Sequence, residues 1–115
     1  MTSFTLVNAD NGQNIQTLTN GSTINLATTG QHLNIRANTS PATVGSVVFV
    51  LSGTQSRNQT ENNPPYALFG DNGSGTYSSW TPALGSYTLQ STPFASSGGS
   101  GTAGTSLTIN FSVAN

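Results

Sequence analysis

Apolar and polar residues alternate in short runs through most of this 115-residue chain, the period-two signature of strands with one buried side. Phe4 and Leu6 share one side of the first run, with Thr5 and Val7 opposite. A turn signal at Asp10-Asn11-Gly12 precedes Ile15 and Leu18, and a second at Asn20-Gly21 precedes Ile24 and Leu26. The run from His32 to Ala37 alternates cleanly, which sends Leu33, Ile35 and Ala37 inward and His32, Asn34 and Arg36 outward. Val44 to Leu51 is the most apolar run, with Val47, Phe49 and Leu51 on one side and Val48 and Val50 on the other. That pattern predicts a central strand covered on both sides, or one facing a neighbour.

The second half is more interrupted. Ser52 to Pro65 is polar and reads as a loop, whereas Tyr66 to Phe69 reads as a short strand ended by the turn-rich Gly70 to Gly75. Thr76 to Trp80 predicts another short strand, and Tyr87 to Gln90 opens a longer one. Leu107, Ile109, Phe111 and Val113 alternate to the end, after a Gly/Ser/Thr hairpin loop from Ser96 to Gly104. Helical apolar spacing is absent, and frequent Gly, Asn and Thr disfavour helix further. The expectation is an all-β, immunoglobulin-like antiparallel β-sandwich of about seven to nine strands, formed as a single domain over residues 1–115.

Composition narrows the function classes. Only Arg36, Arg57, Asp10, Glu61 and Asp71 are charged, 4% of the chain, and lysine is missing altogether. A quarter is typical, so Thr, Ser, Asn, Gln and Gly must hydrate the surface. Polar β-proteins working outside the cell have this balance. Two arginines cannot supply the clustered cations that nucleic acid or an anionic membrane surface requires. No apolar run approaches the roughly 20 residues of a membrane span. Without cysteine there is no disulfide framework, thiol nucleophile or cysteine zinc site. No leader is visible before the first strand-like run, so Met1 is expected to open a fragment whose parent carries the export signal. Five Asn-x-Ser/Thr triplets arise by chance in so Asn- and Thr-rich a chain.

Leu84-Gly85-Ser86-Tyr87-Thr88-Leu89 has the form of a tyrosine corner, in which a Tyr opening the penultimate strand bonds back across the preceding connection. Gly85 permits the tight approach. With the runs Ser46 to Gly53, Thr60 to Asp71, Trp80-Thr81-Pro82 and Gly104 to Phe111, this segment resembles a recurrent immunoglobulin-like module of bacterial secreted proteins. Leu6 to Asp10 and Leu33 to Ala37 fit the same pattern. Such modules occur beside malectin-like, cadherin-like and carbohydrate-active domains. The resemblance implies an accessory role in a secreted or cell-surface protein, with neighbouring domains as partners and a sugar context. It names no ligand, since this fold hosts many functions.

Candidate chemistry is sparse. His32 is the sole histidine and stands on an outward position without a nucleophile motif, so a solvent-facing role is favoured over catalysis. A glycosidase pair would have to come from Asp10, Glu61 and Asp71. Glu61 and Asp71 flank Pro64 to Phe69, but nothing in the sequence builds a cleft around them. No enzyme is expected. Asp71-Asn72-Gly73-Ser74-Gly75 offers oxygen ligands of the kind calcium takes, although an Asx-rich turn explains it as well and no cofactor is required.

Recognition has a better candidate. Tyr66, Tyr77 and Trp80, with Phe69 nearby, fall close in sequence to Arg57, Glu61, Asn63 and Asp71. Aromatic faces that stack on sugar C–H groups, ringed by amides and charges, make a carbohydrate site. The competing view is that Trp80 and Phe69 plug the core. Two readings follow: a structural spacer or adhesion unit, monomeric in isolation, or a carbohydrate-binding module taking polysaccharide on the Tyr66 to Trp80 segment. Exposure of Trp80 separates them. Because charge is scarce, exposed sheet edges are expected to be guarded by bulges, by Pro41, Pro82 and Pro93, or by neighbouring domains.

Overall fold

A computed structural model of the chain describes residues 1–72 and 76–115. Among them are ten strands and one short helix. In chain order these are β1 (Ser3–Asn8), β2 (Asn14–Leu18), β3 (Ser22–Asn25), α1 (Leu26–Thr29), β4 (Leu33–Asn38), β5 (Ser46–Gly53), β6 (Arg57–Glu61), β7 (Tyr66–Ala67), β8 (Gly85–Ser96), β9 (Ser100–Ala103) and β10 (Leu107–Ala114). The strand count exceeds the expected range because two polar segments, read as loops, pair as β6 and β9.

The strands form two sheets. One has the order β2-β1-β4-β7; the other runs β3-β10-β8-β5-β6, with β9 added to the far part of β8. Pairing is antiparallel except between β3 and β10, which run parallel from Ser22↔Phe111 to Asn25↔Ala114. The chain crosses between sheets at Asn20-Gly21, where Gly21 takes a φ of 89° and donates to the Asn110 carbonyl at 2.7 Å. The result is the expected all-β sandwich, with mixed rather than purely antiparallel pairing.

Inward residues meet between the sheets in the predicted register. Phe4, Leu6, Leu33, Ile35, Val47, Phe49, Leu51, Leu89, Ile109 and Phe111 are all buried. Burying one such side chain contributes about 1.5–3 kcal/mol, which is why alternation dictates the register. Val50, by contrast, is 41% exposed. The outer side of β5 is therefore uncovered there, so the strand is not covered on both sides.

Three local corrections have physical causes. Leu26 to Thr29 forms a single helical turn, started by the Asn25 side chain accepting from the Ala27 amide at 3.0 Å and closed by Gly30 at φ 79°. A turn so short carries no apolar periodicity. Thr76 to Trp80 is not a strand but makes two isolated bridges, Asp71↔Tyr77 and Leu33↔Trp80. Finally, the prolines do not guard the outer strands. Pro41 and Pro82 lie in connections, and Pro93 lies within β8. There β8 changes partner, from β10 at Ser91↔Leu107 to β9 at Phe94↔Ala103. A residue without an N–H fits the gap in the ladder. A bulge between Leu6 and Val7 does break the β1–β2 edge pairing, as expected.

Candidate functional site

The candidate residues gather along the side of the sandwich where β6 and β7 end their sheets. Tyr66 opens β7 and is 2% exposed. Its hydroxyl donates to the Val44 carbonyl at 2.7 Å and accepts from the Val44 amide at 2.9 Å, fixing the loop before β5. Tyr77 is 8% exposed and packs with Val7, Ala9 and Ala67 on the outside of the four-stranded sheet. Trp80 is 5% exposed. Its ring stacks on Phe69 and meets Tyr87 edge-on at 6.1 Å. These faces lie against other side chains, so they form no open stacking platform.

Gln55 organises the polar ends of this cluster. Its Oε1 accepts from Trp80 Nε1 at 3.3 Å and from the Ala83 amide at 3.1 Å, and lies 3.0 Å from the Tyr87 hydroxyl. That hydroxyl also donates to the Ala83 carbonyl at 2.6 Å, the tyrosine corner read from the sequence. Burial pushes the Tyr87 phenol above its ordinary value, and the bond to Ala83 offsets part of the rise. Gly85 sits under the corner at φ 144°, where an added Cβ would collide with Thr54 Oγ1.

Arg57, Gln59 and Glu61 alternate onto the inner side of β6, opposite Leu51, Phe49 and Val47. Arg57 lies over the Phe69 ring at 4.6 Å and donates to the Leu68 carbonyl at 2.9 Å and to Gln59 at 2.8 Å. Gln59 in turn donates to Glu61 at 2.8 Å. Desolvation raises the Glu61 carboxyl above its ordinary value; bonds from Gln59 and the Ala67 backbone act against this, and the Asp71 charge adds to it. Glu61 thus ties the last strand of one sheet to the last strand of the other.

Glu61, Asn63 and Asp71 do come together, in an open polar recess of about 380 Å³ completed by Thr60, Asn62 and Pro64. The arrangement places two carboxylates by one hollow, with Arg57 held away on Phe69. Among the described residues no three His, Asp or Glu side chains converge on a common point. Gly73 to Gly75, part of the turn considered for calcium, lie outside the described residues. His32 stands exposed with its Nδ1 3.1 Å from both Asp10 carboxylate oxygens.

Two organising residues carried no sequence signal. Gln55 is one of many amides in a polar stretch. Asn34 occupies an outward position yet is 0% exposed, because Phe69, Gly70 and Ser78 lie against it. Its Nδ2 donates to the Gly70 and Ser78 carbonyls at 3.0 and 2.8 Å, and its Oδ1 accepts from the Phe69 amide at 3.0 Å. The expectation that Asn34 faces solvent fails for that reason.

Comparison of the chain with protein-family models, with curated proteins and with solved structures finds no match.

Proposed function

We propose that the chain acts as a non-catalytic structural spacer, an accessory module within a larger secreted or cell-surface protein. The observation that carries this reading is the placement of its first and last strands. The Met1 ammonium donates to the Thr105 carbonyl at 3.3 Å, so β1 begins beside the start of β10. The eight residues of β10 then carry the chain to the opposite pole, roughly 24 Å away at about 3.4 Å per residue. The long axis of the sandwich is 40 Å. A unit entered at one pole and left at the other adds length when placed in series.

The burial of Trp80 favours the same reading over sugar recognition by the Tyr66 to Trp80 segment, since stacking on a glycan needs an open ring face. Scarcity of charge suits a solvent-facing support whose solubility rests on amides and hydroxyls. The test is small-angle scattering from two copies joined end to end. An extended pair, with a maximum dimension about twice the 40 Å axis, is the expected result. A pair folded side by side, no longer than one copy, sinks the spacer reading.

A further inference from the structure

The outer side of the larger sheet has a uniform chemistry. Its register sets Asn58, Val50, Gln90 and Thr108 in one row and Ser52, Thr88 and Asn110 in the next, followed by Ser86, Ser112 and Thr23. Among the described residues no charged side chain stands there. Asp10 lies in the turn after β1, Arg36 on the other sheet, and Arg57, Glu61 and Asp71 on the flank already described.

Over β8 and β10 this side is hollowed into an open recess of about 420 Å³. Ser86, Thr88, Asn110 and Ser112 form the floor, and Gly21 and Gly53 leave its flanks without side chains. Thr88 donates to Asn110 Oδ1 at 2.7 Å, which turns the Asn110 oxygen toward Thr88. The Asn110 side-chain N–H groups and the Ser86 hydroxyl make no bond to another described residue, whereas the Asn110 backbone amide donates to Asn20 Oδ1 at 2.8 Å. Ser112 shares a 3.2 Å bond with Thr23 and keeps further capacity. The floor therefore offers both donors and acceptors, all neutral.

The geometry points to this recess as a contact site for a neutral glycan. An anion would find no cation, and a metal ion no carboxylate; an apolar ligand would have to desolvate hydroxyls and an amide without compensation. A neutral sugar supplies donors and acceptors in equal measure and can lie flat against glycine backbone. Without aromatic stacking the contact is weak and suits a surface held near its glycan by a larger protein. The site is separate from the Tyr66 to Trp80 flank and independent of the spacer reading.

The experiment is a ¹⁵N–¹H NMR titration of the full chain with neutral oligosaccharides of glucan, xylan, mannan and chitin. An oligogalacturonate serves as the anionic comparator. Saturable shifts are expected at the backbone amides of residues 86–88 and 110–112 and at the Asn110 side-chain amide, with at least one neutral sugar and not with the anion. Thr88→Val and Asn110→Ala, both at solvent-facing positions, should each weaken binding about five-fold, while Asn63→Ala on the other flank should not. Amide spectra of the variants report folding directly. Absence of shifts with every neutral sugar overturns the assignment. So do shifts confined to the Tyr66 to Trp80 flank, or shifts that both floor variants leave unchanged.

Discussion

Trp80 stacks on Phe69 with ring centroids 4.7 Å apart and planes 15° from parallel. Arg57 lies over the Phe69 ring as well, so a cation and two aromatic rings share one column. Removing the middle member should release both outer ones. Phe69→Ala is expected to lower stability by about 2–3 kcal/mol and to red-shift the single-tryptophan emission. Denaturant unfolding followed by fluorescence gives both numbers. An unchanged spectrum would mean that the stack does not shield Trp80.

Tyr87 and Gln55 act on the same corner. Tyr87→Phe should cost about 1 kcal/mol, the worth of a hydroxyl bond to Ala83. Gln55→Ala should cost more, about 2 kcal/mol, since it strips an acceptor from Trp80 Nε1 and the Ala83 amide. Because the two side chains share a contact, the double variant should lose less than the sum. Strict additivity in that cycle would deny the shared network.

Glu61 should leave a mark on the pH profile. Its folded carboxyl titrates above the ordinary value of 4.5, chiefly because the site is desolvated. The folded state then holds the proton more tightly than the unfolded chain. Its favourable contribution is complete below 4.5 and is lost as pH rises through the folded value. Glu61→Gln removes this step, so the variant should be at least as stable as the parent at neutral pH and should lack the decline. Thermal unfolding between pH 3 and 8 measures it. A variant that is less stable at neutral pH, with the decline still present, would contradict the assignment.

Ser91 lies fully buried in β8, and its Oγ is without a partner among the described residues. An unpaired hydroxyl in the core costs free energy that alanine does not. Ser91→Ala is therefore expected to stabilise the fold by about 1 kcal/mol. A clear loss of stability in urea unfolding would show that the hydroxyl has a partner, such as an internal water.

Much of the sandwich could be read from alternation, because wherever one side of a strand meets the core the register is written in residue type. The runs of β1, β4, β5, β8 and β10 show this. Arg57 to Glu61 escaped notice since its inner side is polar: Arg57, Gln59 and Glu61 reach across the rim to Phe69, Leu68 and Ala67 instead of burying methyl groups. Ser100 to Ala103 is exposed on both sides and pairs through backbone alone. Sequence proximity brought Glu61, Asn63 and Asp71 to one recess but could not tell which way the rings face. Tyr66 and Trp80 turn inward because the Val44 carbonyl, Gln55 and Phe69 receive them, partners 22, 25 and 11 positions away in the chain, while Tyr77 lies against Val7, Ala9 and Ala67 on the outer side of the four-stranded sheet.

The change of partner at Pro93 divides β8 into two leases. Its first part is held on both sides, by β10 and β5, while its last part is held by β5 and the β9 hairpin. Length and sequence at the tip from Ser97 to Gly99 can therefore vary without disturbing the register of β10 or the packing of Ile109 and Phe111. The tip does answer to β5 and to the turn after β6, because the Gly99 amide donates to Ser46 Oγ at 2.9 Å and the Gly98 amide to Asn62 Oδ1 at 2.7 Å, so a foreign loop grafted there would have to keep those two amides in place.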